Sequence, residues 1–495
     1  MLKLRPHAPR RKVDDVGLRA STRWTPSLRY VAEGWAWWCQ RRPTSHCGAR
    51  YFQVRLTRPI LWAGHYVGQG EHILFTVTER HMSDADIQPF RIDLDPRILN
   101  DLQERLQRTR WTSQIPGTGW DAGTDLEYLR DLVNYWQSEF DWRAQEKALN
   151  AFEHFKARVQ DVGIHFIHQR GKGPAPFPLI LTHGYPDSFY RFLKLIPLLT
   201  DPASHGGRAE DAFDVVVPDL PGYGFSGRPA RHGSIFQVHD LWVTLMRDKL
   251  GYPRFGAHGG DWGSTVTEQL ARSHPNAVVA IHLTDVPFGH LMQKRPGDAS
   301  PAEKKFFEHN DKWLPTEGGY ATIQSSKPQS LAHGLNDSPA GLAAWIIEKL
   351  RAWSDCGGNI ETRFTKDELL TQIMIYWATE SIGSSFLPYY DYANAGALTW
   401  IQEGVKNWIG SSKVPAAFAI FPKDISQPPR EWAERFFNVQ RWTEMPRGGH
   451  FAAMEEPEEL AEDIRAWFRQ FRQDQITPDD SLQARNLELE LQGSA

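Results

Sequence analysis

The amino-acid sequence predicts an α/β fold: a mostly parallel sheet with helices on its faces and a helical lid inserted late in the chain. Two observations carry this. From Val162 onward short apolar runs alternate with helical patterns, as strands joined by crossover helices do. A long stretch, roughly 290–405, then carries helical patterns such as the one over 342–350 before the last apolar run begins. At 495 residues the chain exceeds one ordinary domain, so one core with insertions, or more than one core, is expected.

Composition narrows the class. Hydrophobic residues at 41% can bury a large core, and 56 Lys+Arg against 60 Asp+Glu leave a net charge of −4, too balanced for a dedicated nucleic-acid binder. No run of 18 apolar residues occurs, so no transmembrane segment is expected. Cys39, Cys47 and Cys356 are too few for a disulfide framework or a cysteine-rich metal site. The expectation is a soluble cytoplasmic protein.

Residues 1–81 stand apart. They hold 14 Lys+Arg and 5 Asp+Glu, a balance of +9, which leaves 42 against 55, or −13, for the remainder. Tryptophans are frequent there (Trp35, Trp37 and Trp38 among them), but sustained periodicity is lacking. Arg10-Arg11-Lys12 runs into Val13-Asp14-Asp15 and not into an apolar segment, which argues against a secretory signal. A basic aromatic arm for a membrane surface or nucleic acid is one reading. We favour a poorly ordered extension, with Met82 opening the functional chain.

Beyond it, residues 89–94 alternate as a short strand, and Asp95-Pro96 supplies a helix cap and a proline at the first helical position. A helix with Ile98, Leu99, Leu102 and Leu106 on one face follows, and a second starts near Asp125 and runs through Trp136. Strands are expected at 163–168, 178–182, 214–218, 254–258, 277–283 and 415–421, and a closing helix at 455–471.

The most informative segment is Gly256-Ala-His-Gly-Gly260-Asp261-Trp262-Gly263-Ser264. It follows an expected strand and opens a helical pattern, with glycines two before and two after Asp261. That is the steric requirement of a nucleophile elbow, where a strained strand-to-helix turn leaves no room for neighbouring side chains. Here the nucleophile position holds aspartate. The N–H of Trp262 lies at a helix N-terminus, where it can stabilise an oxyanion. Downstream, Phe421-Pro-Lys-Asp424 puts a carboxylate at a strand end, and Gly448-Gly449-His450-Phe451 puts a histidine after a strand-like stretch. Each is ordinary alone. Nucleophile, acid and histidine in that order are the chain order of the α/β-hydrolase triad. A second oxyanion donor is expected from the strand that runs into His183-Gly184-Tyr185, and the N–H of Tyr185 is the candidate.

A carboxylate nucleophile suits attack on an sp³ carbon bearing a leaving group, giving an alkyl-enzyme ester. His450 would then activate a water to cut that ester, oriented by Asp424. Halide or the oxygen of a strained epoxide could leave. An epoxide oxygen needs O–H donors, and the lid segment offers Tyr320, Tyr389 and Tyr390.

These residues give the chain from about 87 to 472 a specific resemblance to the microsomal-type epoxide hydrolase family, including its juvenile-hormone-processing branch. The matching stretches are His183-Gly-Tyr-Pro-Asp-Ser188, Pro221-Gly-Tyr-Gly-Phe-Ser226, Gly259-Gly-Asp-Trp-Gly-Ser264, Gly319-Tyr320 with Ile323-Gln324 and Lys327-Pro328, Asn336 to Ala344, and Arg447-Gly-Gly-His-Phe-Ala-Ala453. The resemblance implies Asp261 as nucleophile, Asp424 as relay carboxylate and His450 as base. It also implies Tyr320 and Tyr389 as acids that polarise the epoxide, with Tyr390 the weaker choice for the second. It implies a small-molecule, apolar epoxide as substrate, no metal and no organic cofactor, and no nucleic-acid partner. On this reading residues 82–160, extending to about 195, form an N-terminal region that wraps core and lid. Residues 161–289 and 406–473 form the two parts of an α/β-hydrolase core, 290–405 the helical lid, and 474–495 a polar tail.

Three departures from the family pattern stand out. Tyr185 and Asp187 occupy positions where the family often has tryptophan and glycine, and Asp424 stands where it often has glutamate. Residues 1–81 do not resemble the membrane anchor of the animal microsomal members. A haloalkane dehalogenase shares the Asp-Trp-Gly motif and triad, but the tyrosines and the long N-terminal region count against it. A non-catalytic ligand-binding protein of the same fold would typically have lost a triad member.

Overall fold

The computed structural model describes residues 87–231, 233–292, 294–394 and 411–474. The expected extension over 1–81, the last part of the lid and nearly all of the tail lie outside these residues.

Nine strands form one sheet: β1 (Ile87–Pro89), β2 (His154–Val159), β3 (Val162–Gln169), β4 (Phe177–Thr182), β5 (Phe213–Pro218), β6 (Phe255–Gly259), β7 (Val278–Leu283), β8 (Pro415–Ile420) and β9 (Asn438–Glu444). Their order is β1-β2-β3-β5-β4-β6-β7-β8-β9. Pairings from β5 to β9 are all parallel, and the β1–β2, β2–β3 and β3–β5 pairings are antiparallel. β4, β5, β6 and β7 are buried at every position, which is why Phe177–Thr182 and Phe213–Pro218 read as near-continuous apolar runs and not as alternating ones. The chain leaves β4 for β5 on one side and then crosses to β6 on the other. The strand order therefore reverses at β4. In open parallel sheets ligands gather beyond the carboxyl ends of the strands at such a reversal.

The first helices form where the caps put them. Asp95 accepts the N–H of Arg97 at the start of Pro96–Gln107, and Asp125 accepts that of Tyr128 at the start of Leu126–Ser138. Both pack on the lid helix Pro339–Ala352, so the N-terminal region reaches the lid.

Between β7 and β8 lie the helices Pro301–Glu317, Gly319–Ser326, Pro328–Asp337, Pro339–Ala352, Lys366–Thr379 and Leu387–Ala393. Ser300 with Glu303 and Thr365 with Glu368 form capping boxes. Lys366–Thr379 is buried from Leu369 to Trp377, as a helix sandwiched between layers must be.

The strand expected at 89–94 is a correction. Pairing stops at Pro89, and the backbone of Ile92 is satisfied instead by the Asn150 side chain, which accepts its N–H at 2.9 Å and donates to its carbonyl at 2.8 Å. Glu146 takes the N–H of Leu94 at 2.8 Å. Ile92 and Leu94 are buried, so the alternation was real, but side chains complete the hydrogen bonding in place of a neighbouring strand. The closing helix expected at 455–471 is also broken, into Ala452–Glu455 and Pro457–Phe468, because Pro457 restarts it.

Candidate active site

Asp261 sits between β6 and the helix Trp262–Ser273 with φ 58° and ψ −126°. A non-glycine residue at positive φ is strained and persists only where its surroundings hold it. Space there is minimal: a Cβ on Gly259 would collide with the carbonyl of Gly263, and one on Gly263 with the carbonyl of Thr182. The carboxylate is then fixed from two directions. Asp261 Oδ1 accepts the N–H of Tyr185 at 2.8 Å, and the Trp262 N–H also hydrogen-bonds to the carboxylate. Both expected oxyanion donors therefore converge on one side chain. They are brought there by the loops after β4, where the strand order reverses, and after its parallel neighbour β6.

Asp424 follows β8 and His450 follows β9. The two loops are joined at their roots, where Lys423 forms a bridge with Gly449 and donates its N–H to the carbonyl of Gly448 at 3.1 Å. The imidazole Nδ1 lies 2.7 Å from Asp424 Oδ1, and Nε2 faces Asp261 Oδ2 from 3.5 Å. Beyond that approach His450 Nε2 is buried with no hydrogen-bond partner, so the ring nitrogen nearest the elbow faces the Asp261 carboxylate alone. The lid touches this pair directly. Trp353 accepts the His450 N–H on its carbonyl at 2.8 Å and sets its ring edge-on to the imidazole.

Tyr320 and Tyr389 come from the helices Gly319–Ser326 and Leu387–Ala393, which pack against each other. Their rings meet edge-on at 5.7 Å. Tyr389 also stands edge-on to Trp262 at 5.1 Å, and Tyr320 stacks parallel to Tyr185 at 6.1 Å. Tyr390 lines the same cavity but is only half-buried, and the ring contacts that reach Trp262 and Tyr320 come from Tyr389.

Charge is concentrated here and mostly out of water. Burial works against the charged imidazole, but the Asp424 and Asp261 carboxylates outweigh it and hold the His450 pKa up to about 10. Burial likewise opposes ionisation of Asp261, yet His450 and the Trp262 and Tyr185 N–H groups keep its carboxyl below the usual range. Burial, with the negative charge of Asp261 nearby, lifts the phenols of Tyr320 and Tyr389 far above the ordinary tyrosine value. Both therefore stay protonated and able to donate.

Two close neighbours of these residues escaped the sequence reading. Asp285, two residues past the end of β7, accepts the N–H of Asp261 on Oδ2 at 2.7 Å. The signal was available, because the rule that found Asp424, a carboxylate just beyond an apolar strand, applies to Asp285 equally. Arg191 is buried, pairs with Asp187 and donates to the His450 carbonyl. No motif marks that arginine.

Asp261, Asp285, Asp424, His450, Tyr320 and Tyr389 line one cavity of about 1160 Å³. Its remaining wall is largely apolar, with Trp262, Val286, Phe288, Met292, Trp313 and Leu314. A second hollow, of about 610 Å³, lies elsewhere and is ringed by charges that pair among themselves, Arg97 with Asp95 and Arg105 with Asp101 and Asp337. Among the described residues, one group has the chemistry of metal ligands: His239, Asp240 and His274. None of the three lines the large cavity. An ordinary 2.7 Å hydrogen bond from His274 to Asp240 accounts for most of that grouping.

A parallel sheet whose strand ends carry an elbow, a carboxylate and a histidine in that order defines an α/β-hydrolase-fold enzyme, and residues 178–314 match the family described as alpha/beta hydrolase fold. Residues 87–192 match a second family, epoxide hydrolase N terminus. The chain belongs to the epoxide hydrolase family, and it is an epoxide hydrolase. It is 36% identical over 413 residues to epoxide hydrolase 1 of Sus scrofa, covering 77% of this chain and 88% of that one. The juvenile hormone epoxide hydrolase of the silkworm Bombyx mori superposes with a TM-score of 0.70 at 28% identity, covering 79% of this chain and 96% of that one. The epoxide hydrolase of Aspergillus niger gives a TM-score of 0.67 at 29% identity over 78% and 97%. Among the described residues no helix is long and apolar enough to cross a membrane.

Proposed function

We propose that the chain converts a bulky apolar epoxide to a vicinal diol through an ester on Asp261, which a water activated by His450 then hydrolyses. One observation carries the reading. The imidazole is held by Asp424 on Nδ1 and points its Nε2 at the Asp261 carboxylate 3.5 Å away.

In the first step Asp261 Oδ2 attacks a ring carbon, a C–O bond of the epoxide breaks, and the oxygen leaves as an alkoxide. The Tyr320 and Tyr389 hydroxyls donate to that oxygen and deliver its proton. The protonated His450 makes good the proton lost, so the ester forms beside a neutral imidazole. In the second step His450 Nε2 takes a proton from water and the hydroxide adds to the ester carbonyl. The oxyanion sits on the Tyr185 and Trp262 N–H groups. Collapse expels the alkoxide, which takes up a proton, and returns ionised Asp261 and protonated His450. The sum is epoxide plus water to diol. The largely apolar wall of a cavity somewhat larger than the usual ligand-site range supports a bulky apolar substrate.

A single turnover in heavy-oxygen water tests the reading. The label is expected in the Asp261 carboxyl first and in the diol only in later turnovers. His450→Gln, which lacks both the proton that aids ring opening and the base for the second step, is expected to form the ester more slowly and then to stop, leaving a substrate-mass adduct on the Asp261 peptide. Label that enters the diol directly in the first turnover overturns the ester.

A further inference from the structure

We propose that Asp285 is a positioning residue for Asp261: its carboxyl oxygen holds the main-chain N–H of Asp261 and so keeps that carboxylate on the Tyr185 and Trp262 N–H groups, aimed for attack. This rests on the reading of Asp261 as nucleophile.

The elbow creates the need. β6 ends at Gly259 and the following helix begins at Trp262, so the Asp261 N–H belongs neither to the sheet ladder nor to the helix. Buried and unsatisfied, such a donor is costly, and at a strained φ of 58° it gives the residue reason to relax. Relaxation would swing the carboxylate off its two donors.

The sheet supplies the acceptor. β6 and β7 run parallel with Gly259 opposite Leu283. Two residues past each strand end stand Asp261 and Asp285, so the register of the last pair brings them side by side. The pairing continues past the strand ends, where Thr284 donates its N–H to the carbonyl of Gly259 at 3.3 Å. The 2.7 Å bond from Asp261 N–H to Asp285 Oδ2 closes this extension with a side chain. Asp285 is buried, and the groups facing it are the carboxyl of Asp424, the ring of His450, the Ser264 hydroxyl and the Asp261 N–H. Burial and the Asp424 charge push its carboxyl up to about 7 against the pull of the Asp261 N–H. Neutral or ionised, it keeps an oxygen for the N–H, so the hold survives either state.

The test compares three variants of the full chain by rapid-quench alkylation, read as the mass adduct on the Asp261 peptide with styrene oxide as probe. Asp285→Asn retains an acceptor oxygen and is expected to alkylate within about 3-fold of wild type. Asp285→Leu, close in size but without an acceptor, is expected to slow alkylation at least about 10-fold, the rate equivalent of one lost hydrogen bond, while the concentration dependence of binding is unchanged. Asp285→Ala, which adds no bulk, is expected to fall with Leu and replaces it if Leu does not fold. Wild-type alkylation by the Leu or Ala variant overturns the positioning, and so does an Asn variant as slow as they are. A wild-type chain that forms no adduct on Asp261 overturns the nucleophile instead, a result distinct from either of these.

Discussion

Arg191 ties together the two loops that flank Asp261. One arm of its guanidinium pairs with Asp187, in the loop that supplies the Tyr185 N–H, and the other donates to the carbonyl of His450. Tyr376 of the lid adds a hydroxyl to the Asp187 carbonyl at 2.8 Å. This gives Asp187 its purpose at a position where the family often has glycine. It is the counter-ion of a buried cation that connects the loop after β4 to the loop after β9, within the field of Asp261 and Asp424.

Removing one partner of that pair should therefore cost more than removing both. Arg191→Met strands a buried carboxylate, and about 3–5 kcal/mol of stability is expected to go. In a double-mutant cycle followed by urea unfolding, Asp187→Gly with Arg191→Met is expected to be clearly more stable than the sum of the single losses. Strict additivity would mean that the two side chains do not act as a pair.

The tyrosines are expected to separate by role. Tyr320→Phe and Tyr389→Phe each remove one donor to the leaving oxygen and are expected to slow alkylation on the order of 10²-fold, the lower end for a general acid, since the other phenol remains. Tyr390→Phe is expected to leave the rate within about 3-fold, because that ring is not the one packed on Trp262 and Tyr320. Rapid-quench rates for the three variants decide between Tyr389 and Tyr390, and a slow Tyr390→Phe with a fast Tyr389→Phe reverses the assignment.

What could be read in advance follows a physical division. Asp261 and Asp424 were legible because each follows an apolar run and is marked by glycine, or by proline, where the backbone must turn tightly; His450 was legible from the Gly448-Gly449 before it and from its place in the chain order, since the strand ahead of it is polar. The buried strands β4 to β8 were legible because burial on both faces leaves a mostly apolar run. β2, His154–Val159, was missed because Lys156 and Arg158 break the apolar pattern in a strand near the sheet edge. The residues 90–94 were misread because nothing in their own alternation reveals that Asn150 and Glu146 would complete their hydrogen bonds. Arg191 was illegible for a deeper reason. Its partners Asp187 and His450 are four and 259 positions away, and only the folded chain brings both to it.

Asp424 is one methylene shorter than the glutamate common in the family, yet it reaches His450 Nδ1 at 2.7 Å. Its charge, and not only its shape, should matter. Asp424→Asn is expected to slow ester hydrolysis by about 10²–10⁴-fold, because the imidazolium formed as water is deprotonated loses its counter-ion. Alkylation should suffer less, so the adduct on Asp261 accumulates in the steady state. Asp424→Glu is expected to restore much of the hydrolysis. Loss of both steps in equal measure in Asp424→Asn would place the residue outside the relay.

The two steps should also part company in their pH dependence. In the free enzyme the groups around His450 are the Asp261 and Asp424 carboxylates, the carboxyl of Asp285, and Arg191 at its carbonyl. Against the effect of burial, the first two hold its pKa up to about 10, so near neutrality the ring is an imidazolium. That state suits alkylation, which draws on its proton, and alkylation is expected to be level below about pH 10 and to fall above it. Esterification then neutralises Asp261. One of the two carboxylates that raise the histidine disappears while burial stays, so its pKa must drop, each unit corresponding to about 1.4 kcal/mol of lost interaction. Hydrolysis needs the neutral ring and is therefore expected to rise with pH and level off at an inflection below the free-enzyme value. Rapid mixing that resolves adduct formation and decay between pH 6 and 11 separates the two curves. A common inflection for both steps would mean that Asp261 and His450 do not share a field, and with it the base would lose its link to the ester.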